Sequence, residues 1–269
     1  HSDDSDSSDE PVWVFMDADV HPGPRAMARI AATLRARRVD LLSGFPRQRT
    51  ETLGEALLVP HIQFILLGFL PFFFARFVNA PSLAAGCGQL IAVRPQAYKL
   101  CGGHAAVRQS VHEGLHLPRH FRREGLRTLA FDASDIVTCR MYRDFAEAWS
   151  GFSKNATDGM AAPGAIGPFT VFLGLGQVLP PVMLLGHSLG LTPLPAEALR
   201  LVGGTVVLAL LTHTGLALRF GQSLRAAVLY PLGIGALLAL QWNALRRKLT
   251  GKTASWKGRT IDASAPGVK

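Results

Sequence analysis

Residues 11–25, PVWVFMDADVHPGPR, decide the fold that we expect for this chain. The short apolar run Val12–Met16 is rich in β-branched and aromatic residues and predicts a buried strand, directly followed by Asp17 and Asp19. Ligands of open α/β sheets collect outside the carboxyl ends of the strands, so two carboxylates at this point predict a divalent-cation site. The same residues also suit an ordinary strand–turn–helix junction, in which Asp19 forms the turn and Pro24 starts a helix. The stretch by itself leaves both interpretations open.

The residues that follow this stretch predict an α/β domain. Apolar residues recur at helical spacing over Pro24–Arg38, and Val39–Phe45 has the pattern of a second strand. A strand, a helix and a strand in succession predict a βαβ unit and therefore a parallel sheet. Further elements are predicted as strands at Leu90–Val93, Arg127–Phe131 and Ile136–Cys139, and as helices at 114–124 and Arg143–Asn155.

Composition favours a membrane protein over a nucleic-acid-binding one. The 269 residues carry a formal net charge of +9, yet 48% are hydrophobic and only 17% are charged. The basic residues cluster beside apolar segments, as they do on the cytoplasmic side of membrane proteins, so we expect no nucleic-acid partner. Residues 1–10, HSDDSDSSDE, are acidic and lack apolar side chains, which predicts a disordered lead-in.

Three apolar runs follow Pro163, at about residues 167–187, 199–218 and 226–245, and each approaches the length that a helix needs to cross a bilayer. We therefore predict a soluble domain at 11–162, a transmembrane region at 163–248 and a basic tail at 249–269. The positive-inside rule puts the soluble domain on the cytoplasmic face of the cell membrane. Three crossings would leave the basic tail outside, so either the tail breaks the rule or one run does not cross.

A fourth apolar segment, Leu57–Val78, contains polar residues and prolines and predicts something other than a crossing helix. If it crossed, residues 17–19 and 110–143 would lie on opposite sides of the membrane. We expect it to lie in the interface with Phe64, Phe69 and Phe72–Phe74 among the lipids, or else to form a buried pair of helices.

Residues 112–116, His-Glu-Gly-Leu-His, match the H-E-x-x-H pattern. On a helix, His112 and His116 would share one face and bind zinc while Glu113 acted as general base, which suggests a membrane metalloprotease. Gly114 inside the helix and Pro118, expected to end or kink it within one turn, count against this interpretation.

The order of motifs along the chain suggests another function. Asp-Ala-Asp-Val follows a strand, Gly-x-Gly-Gln comes next, and Gly-Gly-His, Glu113 and Arg140-Met141-Tyr142-Arg143 follow in turn. This order resembles the membrane-associated family 2 glycosyltransferases, and most of all those associated with carotenoids and hopanoids, whose membrane section ends in a tail like Trp256-Lys257-Gly258-Arg259.

The resemblance implies a partial GT-A (Rossmann-like) domain followed by transmembrane helices, and an inverting transfer of a sugar from a nucleotide-diphosphate donor, a UDP-sugar, to a lipid-like acceptor. It implies that Asp19 and Asp17 bind Mg²⁺ or Mn²⁺ with the donor diphosphate. Gln89, Arg140 and Arg143 would also face the donor. Glu113, supported by His112, would be the catalytic base.

Two departures from the family pattern affect these expectations. Family members commonly have Glu-Asp at the base position, whereas here Gly114 follows Glu113. The family also has a βαβ portion before its D-x-D strand, so we expect this chain to be N-terminally truncated, which leaves open that it is an inactive fragment of an active enzyme. A membrane-anchored remnant that binds a partner is therefore a third, non-enzymatic hypothesis.

Overall fold

The computed structural model describes residues 10–70, 72–108, 110, 112–251, 254–256 and 259–261. It divides the chain into two compact units. The first contains the residues up to Arg49 together with Leu67–Arg140, and the second contains Thr50–Leu66 together with the residues from Met141 onward. Residues 1–9 of the predicted lead-in lie outside the described residues, whereas Glu10 forms an ion pair with Arg94.

The strands are β1 (Trp13–Met16), β2 (Val20–Pro22), β3 (Leu41–Phe45), β4 (Arg47–Gln48), β5 (Leu90–Val93), β6 (Thr128–Asp132), β7 (Val137–Cys139), β8 (Ala254–Trp256) and β9 (Arg259–Ile261). The helices are α1 (Ala26–Ala36), α2 (Leu53–Leu58), α3 (His61–Phe69), α4 (Pro95–Leu100), α5 (Glu113–Arg123), α6 (Phe145–Asn155), α7 (Ile166–Leu173), α8 (Leu179–Ser188), α9 (Ala196–Arg219), α10 (Leu224–Val228) and α11 (Tyr230–Leu249).

The main sheet of the first unit is mixed rather than parallel. Its strand order is β1-β5-β3-β6, and β5 pairs antiparallel with both β1 and β3, while β3 and β6 are parallel. The prediction that β1, α1 and β3 form a parallel pair was therefore wrong in one respect. β1 and β3 run in the same direction, but β5 lies between them. The carboxyl ends of β1, β3 and β6 consequently meet the amino end of β5 at one edge.

Beyond that edge lies a second sheet of order β2-β7-β4. Val20 and Gln48 are both registered with Cys139, and all three side chains are buried. The residues on the other face, His21 and Arg47, are exposed and registered with Thr138. This alternation has the period of two that a strand requires, and it gives the small sheet one inner and one outer face.

Buried side chains of β3, β5 and α5 form much of the core of the first unit. Leu41 of β3 and Ile91 and Val93 of β5 pack with Leu117 and Phe121 of α5. Since β5 is buried at every position, the sheet must be covered on both faces where β5 runs through it.

In the second unit, α11 packs against α2 and α6. Its buried residues recur at helical spacing and form one stripe: Tyr230, Gly233, Ile234, Leu237, Leu240, Gln241, Ala244 and Leu245. The prediction that run 226–245 crosses the membrane is not supported, because this helix is not among the candidate spans and instead buries one face in the unit. Hydropathy alone does not separate a core helix from a crossing helix.

His61 lies beneath this stripe. Its side chain is 1% exposed, and a Cβ at Gly233 would overlap the imidazole ring. Within the described residues neither ring nitrogen has a hydrogen-bond partner. Burial, with a contribution from His213, lowers the pKa of His61 to about 3, so the ring is neutral at physiological pH.

Among the described residues, two helices are long and apolar enough to cross a membrane, Ile166–Ser188 and Ala196–Arg219. The first combines α7, one π-helical turn at Gly174–Val178 and α8. Pro180 and Pro181 lack the N–H groups that would continue the regular hydrogen bonding, which explains the π turn just before them. Few residues of either helix are buried inside the protein.

The segment Leu57–Val78 divides between the two units. It consists of the end of α2, the nine residues of α3 and a 3₁₀ turn at Phe74–Arg76. Phe69, Phe73 and Phe74 are exposed, as an interfacial position requires. Phe64 and Phe72 are half-buried: Phe64 packs on His213, and Phe72 packs edge-on against Phe45. The interfacial position of the segment stays a prediction.

Candidate functional site

Asp17 and Asp19 lie in a turn between β1 and β2, at the carboxyl end of β1. The turn closes with a hydrogen bond from the Val20 N–H to the Asp17 carbonyl oxygen (3.1 Å), and the Asp17 N–H donates to the carbonyl oxygen of Gln89 (3.2 Å). Asp17 is exposed and Asp19 is half-buried. The backbone therefore holds two carboxylates at the edge where a ligand of an open sheet is expected.

The loop Gly86–Gln89 lies beside this turn, and Ser43 ties it to the sheet. The Ser43 hydroxyl donates to the Cys87 carbonyl oxygen (3.0 Å) and accepts from the Cys87 N–H (2.7 Å). A Cβ at Gly86 would lie 2.6 Å from Ser43 Oγ, so only glycine permits this approach.

The start of α5 packs against the same loop. A Cβ at Gly114 would lie 2.5 Å from Gly88 N, 2.9 Å from Gly86 O and 3.0 Å from the carbonyl carbon of Cys87. Since all three atoms belong to the backbone, a larger residue would displace the loop. Glu113, the first residue of α5, is exposed next to this contact. An aspartate, or any other residue with a Cβ, would therefore not fit at position 114 without a shift of the loop.

Two thiols and two amides connect the turn to the small sheet. Gln89 donates its side-chain N–H to Cys139 Sγ (3.1 Å) and accepts at Oε1 from Gln48 Nε2 (2.8 Å), and the Cys87 thiol lies 3.5 Å from the same Oε1. The Cys139 thiol also interacts with the Asp19 carboxylate. The network therefore links Asp19 to β4 and β7.

Both thiols stay protonated at neutral pH. Burial raises the pKa of Cys87 to about 12, and the negative charges of Asp17 and Asp19 contribute to the increase. Burial likewise raises the pKa of Cys139, again with contributions from Asp19 and Asp17. Because the thiolate is the form that attacks electrophiles or binds soft metals, these cysteines are suited to packing and hydrogen bonding rather than to chemistry.

The structure brings most of the predicted site residues to one edge of the first unit. Asp17 is joined to Gln89 by the backbone hydrogen bond above, and Asp19 lies in the same turn. Glu113 and His112 are adjacent to the Gly114 contact with the loop. Gln89 is only 8% exposed and its amide is engaged by Gln48 and Cys139, so its side chain supports the site from within.

The two predicted arginines differ in position. Arg140 directly follows Cys139 and is half-buried. Arg143 belongs to the second unit, where its N–H donates to the Glu147 carboxylate (2.9 Å) just before α6. The expected role of Arg143 at the diphosphate stays a prediction.

The H-E-x-x-H residues lie at the beginning of α5. His112 precedes the first helical residue and His116 lies in the second turn. The expectation that Pro118 ends or kinks the helix within one turn was wrong about its end, since α5 continues to Arg123 with Pro118 inside it. Pro118 deprives the Gly114 carbonyl of its helical N–H partner, and that oxygen lies 3.2 Å from a Cβ position at Gly86.

The donor set at the edge suits a hard cation that the substrate helps to bind. In the part of the chain that the structure describes, no group of three or more His, Cys, Asp or Glu side chains is arranged to hold a metal. Magnesium commonly takes one or two protein carboxylates and completes its coordination with substrate phosphates and water. Asp17 and Asp19 can provide that share, whereas a closed zinc site requires three or four protein ligands.

The sequence did not predict the buried residues that support the candidate site by hydrogen bonds. Ser43, Gln48, Cys87 and Cys139 carry no motif, and only the pairing of β4 with β7 brings Gln48 beside Cys139. The single available signal was the pair of glycines flanking Cys87, which indicated a close backbone approach.

Comparison with protein-family models and with curated protein sequences finds no match for this chain.

Proposed function

We propose that this chain is the membrane-associated part of an inverting glycosyltransferase of GT-A type, which transfers a sugar from a nucleotide-diphosphate donor such as a UDP-sugar to a lipid-like acceptor of carotenoid or hopanoid type. One observation carries the proposal. The Asp17–Asp19 turn, the Gly86–Gln89 loop and the start of α5 with Glu113 come together at the carboxyl ends of three strands.

The residues at this edge suit the chemistry of such a transfer. Asp17 and Asp19 would hold Mg²⁺ or Mn²⁺, which neutralises the negative charge on the departing diphosphate when it is bound. Arg140 adds a guanidinium, and its charge and planar donors suit phosphate oxygens.

Glu113 is the carboxylate that we assign as general base. It is exposed at the first position of α5, where an acceptor hydroxyl can reach it. The carboxylate would take the proton of the acceptor hydroxyl as its oxygen bonds to the anomeric carbon. The bond from that carbon to the diphosphate oxygen breaks in the same step, so the configuration at the carbon is inverted.

The two candidate spans support a cytoplasmic location for the first unit. A pair of crossings returns the chain to the side on which it began. The link HSLGLTPLPAE (187–197) between the spans has no Lys or Arg, whereas Arg219, Arg225 and Arg246–Lys248 follow the second span. This distribution satisfies the positive-inside rule without the conflict that three crossings created.

Isothermal titration of the purified chain with UDP-sugars, in the presence and absence of Mn²⁺, tests the proposal. We expect binding that requires the metal and is abolished in Asp19→Asn. Glu124→Gln is the matched control, because Glu124 is an exposed carboxylate at the end of α5 and outside the site. Metal-independent binding, no binding of any nucleotide sugar, or equal behaviour of the two variants would overturn the proposal.

The other two hypotheses make different demands. The zinc peptidase requires a third protein ligand beside His112 and His116 and near-stoichiometric zinc that is lost in His116→Ala. The non-catalytic remnant predicts that Asp17→Ala and Glu113→Ala leave the phenotype of a deletion strain fully complemented.

A further inference from the structure

The buried side chain of Arg122 holds the backbone of an exposed aromatic segment, residues 73–80, by hydrogen bonds. Its side chain is 5% exposed, and its guanidinium donates to the carbonyl oxygens of Ala75 (2.9 Å), Val78 (2.9 Å) and Ala80 (3.1 Å). Two further bonds reach Thr128, at Oγ1 (2.8 Å) and at the carbonyl oxygen (3.0 Å). All these acceptors are uncharged, so they fix the segment without neutralising the cation.

The anchored segment forms one wall of a cavity. The cavity has a volume of about 480 Å³ and is lined by residues of three stretches, 36–39, 75–79 and 127–129. Arg37, Arg76 and Arg127 each contribute an exposed side chain to the lining. In the described residues none of the three guanidinium groups forms an ion pair, and no carboxylate is part of the lining.

The charges around the cavity favour an anion. Three exposed arginines line it, and the guanidinium group of a fourth, Arg122, lies behind Val78 and Thr128, which also line it. The carboxylate of Asp40 is close by, where it accepts from the Arg127 N–H (2.7 Å). Four cations against one carboxylate leave an excess of positive charge. Arginine forks match the oxygens of phosphate in pairs, which makes phosphate the anion best suited to this lining.

Aromatic side chains next to the cavity favour the headgroup of a lipid, rather than a free phosphate ion, as the ligand. Phe73, Phe74 and Phe77 are 66%, 62% and 74% exposed, and the Phe73 ring contacts both of the others. Phe77 and Val78 also line the cavity. Exposed aromatics flanked by arginines are typical of surfaces that enter the headgroup region of a bilayer. The chain also has two helices that are long and apolar enough to cross a membrane, which agrees with a lipid ligand.

We propose that this cavity binds the phosphate of an anionic phospholipid headgroup while Phe73, Phe74 and Phe77 enter the adjacent acyl region. The site requires neither the metal nor a sugar donor, so it does not depend on the proposed transferase activity. It would fix the first unit on anionic regions of the membrane surface.

Native mass spectrometry of the full chain in detergent tests the site, with dioleoylphosphatidylglycerol as the anionic lipid and dioleoylphosphatidylcholine as the zwitterionic one. We expect the phosphatidylglycerol to bind more tightly. Loss of two guanidinium groups in Arg76→Gln with Arg127→Gln should weaken its binding about thirtyfold, since each basic residue near a lipid headgroup contributes on the order of 1 kcal/mol. Arg76→Lys with Arg127→Lys keeps the charges and should restore most of the affinity.

The matched control is Arg25→Gln with Arg108→Gln, which removes two exposed arginines of the same unit that lie outside the cavity lining. Equal losses in control and test variants, or no preference for phosphatidylglycerol, would overturn the proposal. Binding of glycerol 1-phosphate and of inorganic phosphate, which have no acyl chains, distinguishes a lipid headgroup from a free phosphate as the ligand. We expect Phe73→Ser with Phe77→Ser to weaken lipid binding but not glycerol 1-phosphate binding. If this aromatic variant binds the lipid normally, or if inorganic phosphate alone binds as tightly as the lipid, the lipid is not the ligand.

Discussion

Substitution of Gly114 by alanine tests the packing that brings Glu113 to the candidate site. The added Cβ would lie within 3.0 Å of three backbone atoms of the Gly86–Gly88 loop, at 2.5 Å from the nearest, Gly88 N. No change of rotamer relieves these contacts, because neither a Cβ nor a backbone atom can rotate away. Either the loop or the start of α5 must move.

Two opposing terms set the size of the effect. Alanine in a helix is favoured over glycine by about 1 kcal/mol. Overpacking of a tight contact costs about 1–3 kcal/mol, and here the obstructing atoms are backbone, which favours the upper part of that range. We therefore expect a net loss of about 1–2 kcal/mol in the free energy of unfolding, or a decrease in Tm of about 2–8 °C for a chain of this size.

Thermal unfolding of the purified full chain, followed by intrinsic fluorescence, measures this difference. Gly88→Ala is the control on the same interface, because its Cβ would be 3.5 Å from Gly114 N, an ordinary van der Waals distance. We expect its Tm to stay close to that of the wild type. A Gly114→Ala protein as stable as Gly88→Ala would refute the packing of α5 on the loop.

Three further predictions concern burial. His61 is neutral in the folded protein because its pKa is about 3, whereas the ring in the unfolded protein binds a proton below about pH 6.5. The free energy of unfolding should therefore fall by up to about 1.4 kcal/mol per pH unit as the pH decreases from about 6.5 towards 3. Tm values measured over this pH range should show a shallower slope in His61→Leu than in the wild type. Arg122→Ala leaves the carbonyls of residues 75–80 without their donor, and limited proteolysis should cut there much faster than in Arg123→Ala, an exposed neighbour. The raised pKa of Cys87 should make its alkylation at pH 7.5 far slower in the native than in the unfolded protein, and equal rates would contradict its burial.

Local pattern predicted the strands well, but it did not predict their arrangement. β1 and β5 appear where the apolar runs placed them. The expectation that β1 is buried was wrong, because β1 lies at the edge of the sheet and none of its residues is buried. The insertion of β5 between β1 and β3 depends on contacts between residues about 50 apart in the chain, such as Ser43 with Ile91. Such pairing leaves no mark in a short window of sequence, so the parallel βαβ arrangement was the natural expectation.

The membrane region shows a similar limit. In the sequence, run 226–245 looks as apolar as runs 167–187 and 199–218. Two of its large apolar residues, Leu232 and Trp242, are exposed in the structure. What separates it is a partner surface formed by α2 and α6, which end 75 residues or more before α11 begins. Only the three-dimensional structure shows which apolar face is already covered.

The candidate site was predictable to the extent that its chemistry is carried by charged residues. Asp17, Asp19 and Glu113 could be named from the sequence because carboxylates are the side chains that bind hard cations or act as general bases. The thiol and amide groups of Cys139 and Gln48 attract no such attention, since their importance comes from position alone. A buried hydrogen-bond network is a property of the fold, and a motif search cannot detect it.

The alternation across β4 restricts the length of the connection that contains it. Gln48 faces inward to Gln89, while Arg47 and Arg49 face outward. Deletion or insertion of one residue between Phe45 and Gln48 would reverse these directions, burying a guanidinium beside two thiols and exposing the amide that supports Gln89. We therefore expect the connection between Phe45 and Gln48 to tolerate substitution of its outward-facing residues but almost no change in length. Most surface loops, by contrast, tolerate insertions and deletions.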